Sequence, residues 1–160
     1  MGAPLYARVT DDGNAILLVH SAGKDVYAFG LFDTGTGKFL WGGKASPLVG
    51  VPLVRKDELW TLARATHQDD PARGSAGLRF GVALVRHRSG EAADKDGNTG
   101  RAVFEYPVKA DPKDGRFCVS PDGSHFVLVL NGDPPRLLFI PIKEGVKEKD
   151  VRVVELRAAK

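Results

Sequence analysis

Short apolar runs separated by turn-forming residues are the main pattern along this chain. The runs contain mostly Leu, Val, Ile and Phe, and the segments between them contain Gly, Asn, Asp and Pro. Such boundaries are typical of β-strands, because the turn residues supply the backbone angles that reverse the chain. The sequence therefore predicts strands at residues 15–20, 25–32, 78–85, 102–108, 125–130, 136–142 and 150–156.

Several of these runs are apolar at consecutive positions rather than at every second one. The side chains of a strand alternate between two faces, so a continuously apolar strand is buried on both. This pattern predicts sheets that stack on other sheets. Apolar spacing typical of a helix appears only weakly, around residues 59–65, and the 19 glycines and 10 prolines are dispersed along the chain. We therefore predict an all-β fold of antiparallel strands.

A repeated motif organises the predicted strands. Each copy consists of a valine, an acidic or glycine-containing turn and an apolar strand, and the copies are VTDDGNAILLV from Val9, VRKDELWTLA from Val54 and VSPDGSHFVLVL from Val119. A second strand, a turn and a further strand follow each copy, so the predicted unit has four strands. Residues 1–160 are accordingly predicted to form a single β-repeat domain with units at about 5–45, 48–110 and 115–158.

The turn residue of the motif falls at Gly13, Asp57 and Gly123. The interval between the first two has the usual length of a propeller blade, roughly 40 to 50 residues. The second interval is longer because it contains the segments HQDDPARGSAG and EAADKDGNTG.

The segments SPDGSHFVLVL and DDGNAILLV resemble the start of a blade in WD-repeat and TolB-like β-propellers, where Ser-Pro-Asp-Gly opens the first hairpin. The segment LFDTGTGKFLW, residues 31–41, is similar to the end of such a blade, where Asp-x-x-x-Gly-Lys connects the third strand to the fourth. The chain has no Gly-His pair and no Trp-Asp pair, and the first turn of its second repeat lacks Asp-Gly. The resemblance implies a β-propeller or part of one, and it implies a fold rather than an activity.

Three blades leave two apolar faces uncovered, since a propeller typically closes with four to eight blades. Three arrangements remain open at this point. The chain is part of a longer ring, two copies pair into six blades, or the sheets form another sandwich. Light scattering tests the pairing, because a clean monomer in solution excludes it.

Composition and charge argue against several functional classes. The chain has 23 basic and 20 acidic residues without a long basic run, so no nucleic-acid partner is predicted. It has no apolar run of membrane-spanning length, and its first residues lack the pattern of a signal peptide, so a cytoplasmic location without a membrane partner is expected. The single cysteine, Cys118, has apolar neighbours and is predicted to be a small buried side chain.

The stretch DKDGNTG, residues 94–100, permits two interpretations. As a calcium loop, its first, third, fifth and twelfth positions would be Asp94, Asp96, Asn98 and Glu105. The sixth position requires glycine and holds Thr99, and the following RAVFEYPV is a strand pattern. A turn between strands accounts for every residue, so we predict no metal or cofactor, and weak calcium binding is the alternative.

The sequence Asp33-Thr34-Gly35 follows two apolar residues, as in aspartic proteases. That chemistry needs two aspartates sharing one proton, and a single copy would require a homodimer. A turn between two strands is the preferred interpretation, because Gly37 and Lys38 belong to the same turn.

The other polar residues do not form a recognisable catalytic pattern. The serines lack a nucleophile-elbow motif, and ligand spacing is absent among the four histidines, His20, His67, His87 and His125. Arg86 and Arg88 share one face of a strand, which would suit an anionic partner, although a solvated face is the simpler interpretation. We therefore predict no catalytic, cofactor-binding or metal-binding residues.

These observations predict a non-catalytic scaffold that presents loops to a protein or peptide partner. The prediction rests on fold analogy, and the long segments at 69–77 and 91–100 are the expected contact surface. The alternative is an enzyme, either a homodimeric aspartic protease or a propeller hydrolase with a site in the central opening.

Overall fold

A computed structural model of the 160-residue chain describes residues 5–23, 26–45, 49–55, 57–68, 77–93, 95 and 99–157. Within these ranges the chain forms β-strands and two short 3-10 helices, Pro112–Asp114 and Glu148–Asp150, and contains no α-helix. The all-β prediction is confirmed. No helix among the described residues is long and apolar enough to cross a membrane.

The strands form three sheets, numbered here in chain order. Sheet 1 has the order β1-β2-β3-β4 and contains Tyr6–Val9, Ala15–Gly23, Val26–Asp33 and Phe39–Ala45. Sheet 2 has the order β6-β7-β8-β9 and contains Leu53–Arg55, Glu58–Gln68, Leu78–Arg88 and Gly100–Val108. Sheet 3 has the order β13-β12-β11-β10-β5, in which β5 is Val49–Gly50 and β10 to β13 are Arg116–Val119, His125–Leu130, Arg136–Pro141 and Arg152–Glu155.

Each sheet contains four consecutive antiparallel strands, as a propeller blade does. Sheet 3 has one addition that the sequence pattern did not indicate: the two-residue strand β5, Val49–Gly50, pairs in parallel with β10. The weak helical spacing around residues 59–65 does not produce a helix. It lies within β7, an eleven-residue strand whose first half is buried on consecutive positions.

The chain divides into two compact units. The first comprises Met1–Pro47, Val54–Trp60 and Arg86–Arg101, and the second comprises Leu48–Leu53, Thr61–Val85 and Ala102–Lys160. Sheet 1 belongs to the first unit, sheet 3 belongs to the second, and the strands of sheet 2 contribute to both. The single-domain organisation predicted from the sequence stays a prediction.

The β1–β2 turn of sheet 1 is held by side chains of its own motif. The Thr10 hydroxyl donates to Asp12 Oδ1 over 2.6 Å, and the same oxygen accepts from the Asn14 backbone over 3.1 Å. The backbone N–H of Ala15 donates to Thr10 Oγ1 over 3.0 Å. Gly13 has a φ of 73°, in the left-handed region where glycine avoids the steric penalty of a Cβ atom.

The β10–β11 turn of sheet 3 repeats this network with different residues. The Ser120 hydroxyl donates to Asp122 Oδ1 over 2.6 Å, and the same oxygen accepts from the Ser124 backbone over 3.1 Å. The backbone N–H of His125 donates to Ser120 Oγ over 2.9 Å, and Gly123 has a φ of 68°. The two turns are therefore the same structure, as the repeated motif indicates.

One backbone hydrogen bond aligns all three sheets. In each sheet, the backbone N–H of the residue that follows the second strand of the first hairpin donates to the carbonyl of the residue just before its first strand. These bonds are Thr34 to Asn14 at 3.1 Å, Ser89 to Asp57 at 3.1 Å and Ile142 to Ser124 at 2.8 Å. Asp57 is therefore equivalent to Asn14 and Ser124. The sequence motif aligned Asp57 with Gly13 and Gly123, so that alignment is off by one residue.

The two faces of sheet 1 differ in burial. Its face A carries Leu17 and Leu31, which are 0% and 1% exposed, and it packs against Leu59 of β7 in the hydrophobic core of the first unit. Its face B carries Val9 and Phe39, which are 51% and 56% exposed. Only one side of this sheet is therefore covered.

Sheet 3 has the same strand register as sheet 1, since His125 pairs with Pro141 as Ala15 pairs with Asp33. By this register Phe126 is equivalent to Ile16, so Phe126, Leu128 and their cross-strand partners Leu138 and Ile140 form face B of sheet 3. This face is buried, whereas face A of sheet 3 is partly exposed. Sheet 3 therefore buries the face that sheet 1 exposes.

In sheet 2 both faces are buried. Leu59 and Trp60 are adjacent in β7 and point to opposite faces, yet they are 1% and 3% exposed. The same holds along β8, where residues 81–84 are buried without interruption. The prediction that continuously apolar strands are covered on two sides therefore holds in sheet 2 and is wrong for sheets 1 and 3, where one face of each stays partly exposed.

Candidate binding cleft

A cleft of about 460 Å³ lies in the second unit, at the end of sheet 3 where β11 leads into β12. Its volume is in the range of small-molecule and peptide pockets. One wall is the end of β9 and the β9–β10 connection, and the other is the β11–β12 turn. The lining residues are Tyr106 to Pro112, Asp114, Gly115, Leu130 to Pro134, Arg136, Leu138 and Val153.

The β9–β10 connection is fixed by local hydrogen bonds and one ion pair. The Asp111 carboxylate accepts from the Lys113 backbone over 3.1 Å and pairs with Arg64 of β7 over 2.7 Å. The Gly115 N–H donates to the Pro112 carbonyl over 2.7 Å, and a Cβ atom at Gly115 would lie only 2.9 Å from that oxygen. This wall of the cleft therefore requires glycine at the point where the connection enters β10.

The β11–β12 turn forms the opposite wall. It consists of Asn131, Gly132, Asp133 and two prolines, and it is mostly exposed. The Leu156 N–H donates to the Pro135 carbonyl over 2.8 Å, which connects the turn to the residue after β13. The first wall is thus joined to β7 by an ion pair, and the second is joined by a backbone hydrogen bond to the residue after β13.

The cleft combines an apolar floor with charged edges. Leu130, Leu138 and Val153 supply the apolar side chains. Arg136 forms a 3.5 Å ion pair with Glu155. Lys109, Asp114 and Asp133 also line the cleft, and within the described part of the chain they form no ion pair, so these three charges are available to a ligand.

The cleft lining contains no serine, cysteine, histidine or glutamate. The ionisable side chains of the lining are Tyr106, Lys109, Arg136 and three aspartates. Its chemistry suits recognition of a ligand by apolar contact and charge.

The structure uses the protease-like Asp33 within its own turn. Its carboxylate accepts from the backbone and the hydroxyl of Thr36 over 2.7 and 2.6 Å, and these bonds hold the pKa of Asp33 below its usual value of 3.8. The Gly37 N–H donates to the Asp33 carbonyl over 2.9 Å, and Gly37 has a φ of 68°. Each of these hydrogen bonds to Asp33 lies within the β3–β4 turn.

The calcium-like stretch is only partly described. Asp94, Asp96 and Asn98 lie outside the described residues. Glu105, the twelfth position, lies in β9, and its carboxylate contacts His67 Nε2 at 2.7 and 2.9 Å. No group of three His, Cys, Asp or Glu residues in the described ranges is arranged to hold a metal ion.

Arg86 and Arg88 lie on the face of β8 that also carries Glu58 of β7. Arg88 pairs with Glu58 over 2.6 Å, and Arg86 pairs with Glu91 over 3.5 Å. Burial acts to raise the pKa of Glu58, but hydrogen bonds from Arg88 and Trp60 hold it below its usual range. Arg86 is 4% exposed, so the interpretation of this strand face as solvated is wrong at that residue.

His87 lies on the opposite face of β8 and is 1% exposed. Its ring packs edge-on against Phe29, with centroids 4.8 Å apart, and its Nδ1 lies 3.3 Å from Thr99 Oγ1. Burial lowers the pKa of His87 to about 4, so this side chain is neutral at pH 7. The sequence did not distinguish it from the other three histidines.

Cys118 is exposed, which contradicts its predicted burial. Its neighbour Phe117 is 5% exposed and is the buried residue of this short strand. Apolar neighbours in sequence therefore did not indicate the environment of Cys118, because adjacent side chains in a strand point to opposite faces.

The two loops expected to form the contact surface follow successive strands of sheet 2. Residues 69–77 connect β7 to β8 and residues 91–100 connect β8 to β9, so the strand ends that flank the two loops lie at opposite ends of the sheet. Residues 69–76 of the first loop and residues 94 and 96–98 of the second lie outside the described ranges. The cleft residues were not predicted, although the segments DPKDG and NGDPP carry a visible signal for structured turns.

Comparisons with protein-family models, with curated proteins and with solved structures give no match for this chain. The similarity to β-propellers thus rests on the turn motifs and on the three four-stranded sheets. Membership of the WD-repeat or TolB-like type stays a prediction.

Proposed function

We propose that this protein is a non-catalytic, propeller-like scaffold, and that the cleft at the end of sheet 3 binds a short extended peptide with a basic side chain. The observation that carries the proposal is the cleft itself, with its apolar floor and its two unpaired aspartates, Asp114 and Asp133.

The edge of sheet 3 favours an extended ligand. Strand β13 ends the described part of this sheet, and the bond from Leu156 to Pro135 directs the backbone of Leu156 toward the β12 side. Because backbone groups alternate along a strand, those of Val153 and Glu155 point away from β12. Val153 also lines the cleft, so a peptide in the cleft has a strand edge available for main-chain hydrogen bonds.

The charges favour a basic residue in that peptide. Asp114 and Asp133 outnumber Lys109 among the unpaired charges of the lining. A lysine or arginine of the ligand would form charge-assisted hydrogen bonds with them, which are stronger than neutral ones.

Selection from a random heptapeptide library displayed on phage tests this function. Peptides enriched on the native protein are expected to contain Lys or Arg and to lose binding to Asn131→Trp, because the new ring fills the exposed edge of the cleft. Lys143→Trp is the matched control, since it places the same ring on the exposed β12–β13 turn. It is expected to retain binding.

The double variant Asp114→Asn, Asp133→Asn separates charge from shape. We expect it to weaken the enriched basic peptides by about tenfold or more in Kd, with a smaller effect at high salt. Enrichment of no sequence, or equal binding to Asn131→Trp and the native protein, would contradict the proposal.

A further inference from the structure

Face B of sheet 1 is an exposed apolar surface with regular structure. Val9, Ile16, Phe32 and Phe39 are consecutive cross-strand partners, so one apolar row crosses all four strands. The rings of Phe32 and Phe39 meet edge-on, with centroids 5.5 Å apart. They cover Gly30, where a Cβ atom would lie 3.0 Å from the Phe32 ring and 3.4 Å from the Phe39 ring.

Face A of sheet 3 is the second exposed apolar surface. One row of cross-strand partners contains Val127 and Phe139, and the adjacent row contains Val129, Leu137 and Val154. Val129 is 38% exposed and the other four are half-buried. Arginines flank this surface, and one of them, Arg152, stacks 4.1 Å above the Phe139 ring.

The first unit already contains a contact between two such faces. Leu17 and Leu31 on face A of sheet 1 form one core cluster with Leu59 of sheet 2, and Phe29 on the same face packs against His87. By the hydrogen bond that aligns the three sheets, Leu59 is equivalent to Ile16 and therefore belongs to face B. Face A of one repeat thus packs against face B of the next.

The two uncovered surfaces are the two halves of that same contact. Within the described residues, face B of sheet 1 and face A of sheet 3 stay partly exposed and have no sheet packed on them. Repeats of this kind bury their apolar faces by stacking on neighbouring repeats. An apolar face of several rows is also unusual on a soluble surface.

We infer that face A of sheet 3 in one copy of the chain packs against face B of sheet 1 in a second copy. This inference is independent of the peptide cleft, because its surfaces are the broad faces of the sheets and the cleft lies at a sheet end.

Sedimentation velocity over a range of micromolar concentrations tests the contact. Phe39→Lys changes face B of sheet 1, and Val129→Glu changes face A of sheet 3. Each side chain is exposed enough for the fold to tolerate the change, which circular dichroism verifies. Each single variant is expected to weaken self-association by at least about tenfold, because a charge is introduced into an apolar contact.

Mixing the two variants is the decisive measurement. In the mixture, the unchanged face A of Phe39→Lys can pack against the unchanged face B of Val129→Glu, and the reverse contact brings the new lysine next to the new glutamate, so association is expected to return. Leu78→Lys is the control, since Leu78 is 60% exposed and belongs to neither surface, and it is expected to associate as the native protein does.

Three results would overturn the inference. They are a native protein that remains monomeric over the whole concentration range, self-association that neither variant weakens, and a mixture in which association does not return. The last result would indicate that each face binds itself or a different partner.

Discussion

Sheets 1 and 3 share their turns and their strand register but bury opposite faces. The networks around Asp12 and Asp122 have matching partners and distances. Yet Leu17 on face A of sheet 1 is fully buried, whereas its equivalent in sheet 3, Val127, is half-buried. Turn and register are therefore set by the local sequence, whereas the buried face is set by the neighbouring sheet.

The amino-acid pattern explains why sequence does not reveal the buried face. Both faces of both sheets carry large apolar side chains, such as Leu31 on face A and Phe32 on face B of sheet 1. A strand with alternating polar and apolar residues would have indicated which side is covered. Here either face is suitable for a core.

The largest expected effect is the loss of unfolding free energy when a buried side chain of either sheet is truncated. Phe126→Ala should cost about 3 to 5 kcal/mol of unfolding free energy, and Leu17→Ala about 2 to 5, because each leaves a cavity in a core. The changes at the equivalent positions, Ile16→Ala in sheet 1 and Val127→Ala in sheet 3, should cost less, about 1 to 2 kcal/mol, because these side chains are only half-buried. Urea denaturation at high dilution measures all four, and similar costs for Phe126→Ala and Ile16→Ala would contradict the assignment of faces.

The second effect concerns the pH dependence of the contact between sheets 1 and 2. The pKa of His87 is about 4 in the fold and 6.5 when unfolded, so the unfolded chain binds the proton more tightly. The neutral, buried His87 therefore contributes its full share of the unfolding free energy above pH 6.5. This contribution decreases as the pH falls toward 4, by up to about 3 kcal/mol.

The variant His87→Phe tests this pH dependence, because the equivalent residues in the other two sheets, Phe32 and Ile140, are apolar. We expect the difference in unfolding free energy between native protein and variant to change between pH 7 and 4. A difference that stays constant over this range would show that His87 does not titrate in this window.

A third, smaller effect tests whether the β1–β2 and β10–β11 turns are equivalent in unfolding free energy. Gly13→Ala and Gly123→Ala each force a Cβ atom into a left-handed backbone conformation, at a cost of roughly 1 to 2 kcal/mol. Because the two turns have the same hydrogen bonds, the two costs should agree. Thermal unfolding of both variants measures them, and a large difference would indicate that the turns are not equivalent in solution.

The smallest effect lies in the aspartates of the same turns. Hydrogen bonds from Ser120 and Ser124 hold the pKa of Asp122 well below its usual value of 3.8, and those from Thr10 and Asn14 lower the pKa of Asp12. Their stabilisation is present above pH 3.8 and is lost as the pH falls below it. Asp122→Asn and Asp12→Asn should therefore lower the melting temperature slightly at pH 7 and by less in acid. Equal shifts of the melting temperature at both pH values would contradict this prediction.

Much of the fold was predictable because strands and turns are encoded locally. The apolar runs indicated β2, β3, β8, β9, β11, β12 and β13, and the three motifs located the first hairpin of each sheet. The exposed Cys118 and the buried Arg86 were not predictable in this way. The environment of Cys118 depends on which face of its strand is covered. That of Arg86 depends in addition on a carboxylate outside its own strand, Glu91.

The cleft depended still more on tertiary structure. Its walls come from the β9–β10 connection and the β11–β12 turn, and its composition becomes visible only when these approach each other. The sequence showed that both segments are rich in Asp, Pro and Gly, but it did not show that they face a common space.

By itself, the sequence determined that this chain forms repeated β-hairpins, because Asp, Gly and the hydroxyl residues of each motif bond to one another within a few positions. Only the tertiary structure decided which face of each sheet is buried, where the cleft lies and which polar groups are removed from water. The physical reason is that a turn closes through its own backbone and side chains, whereas burial requires a second surface that is distant in sequence.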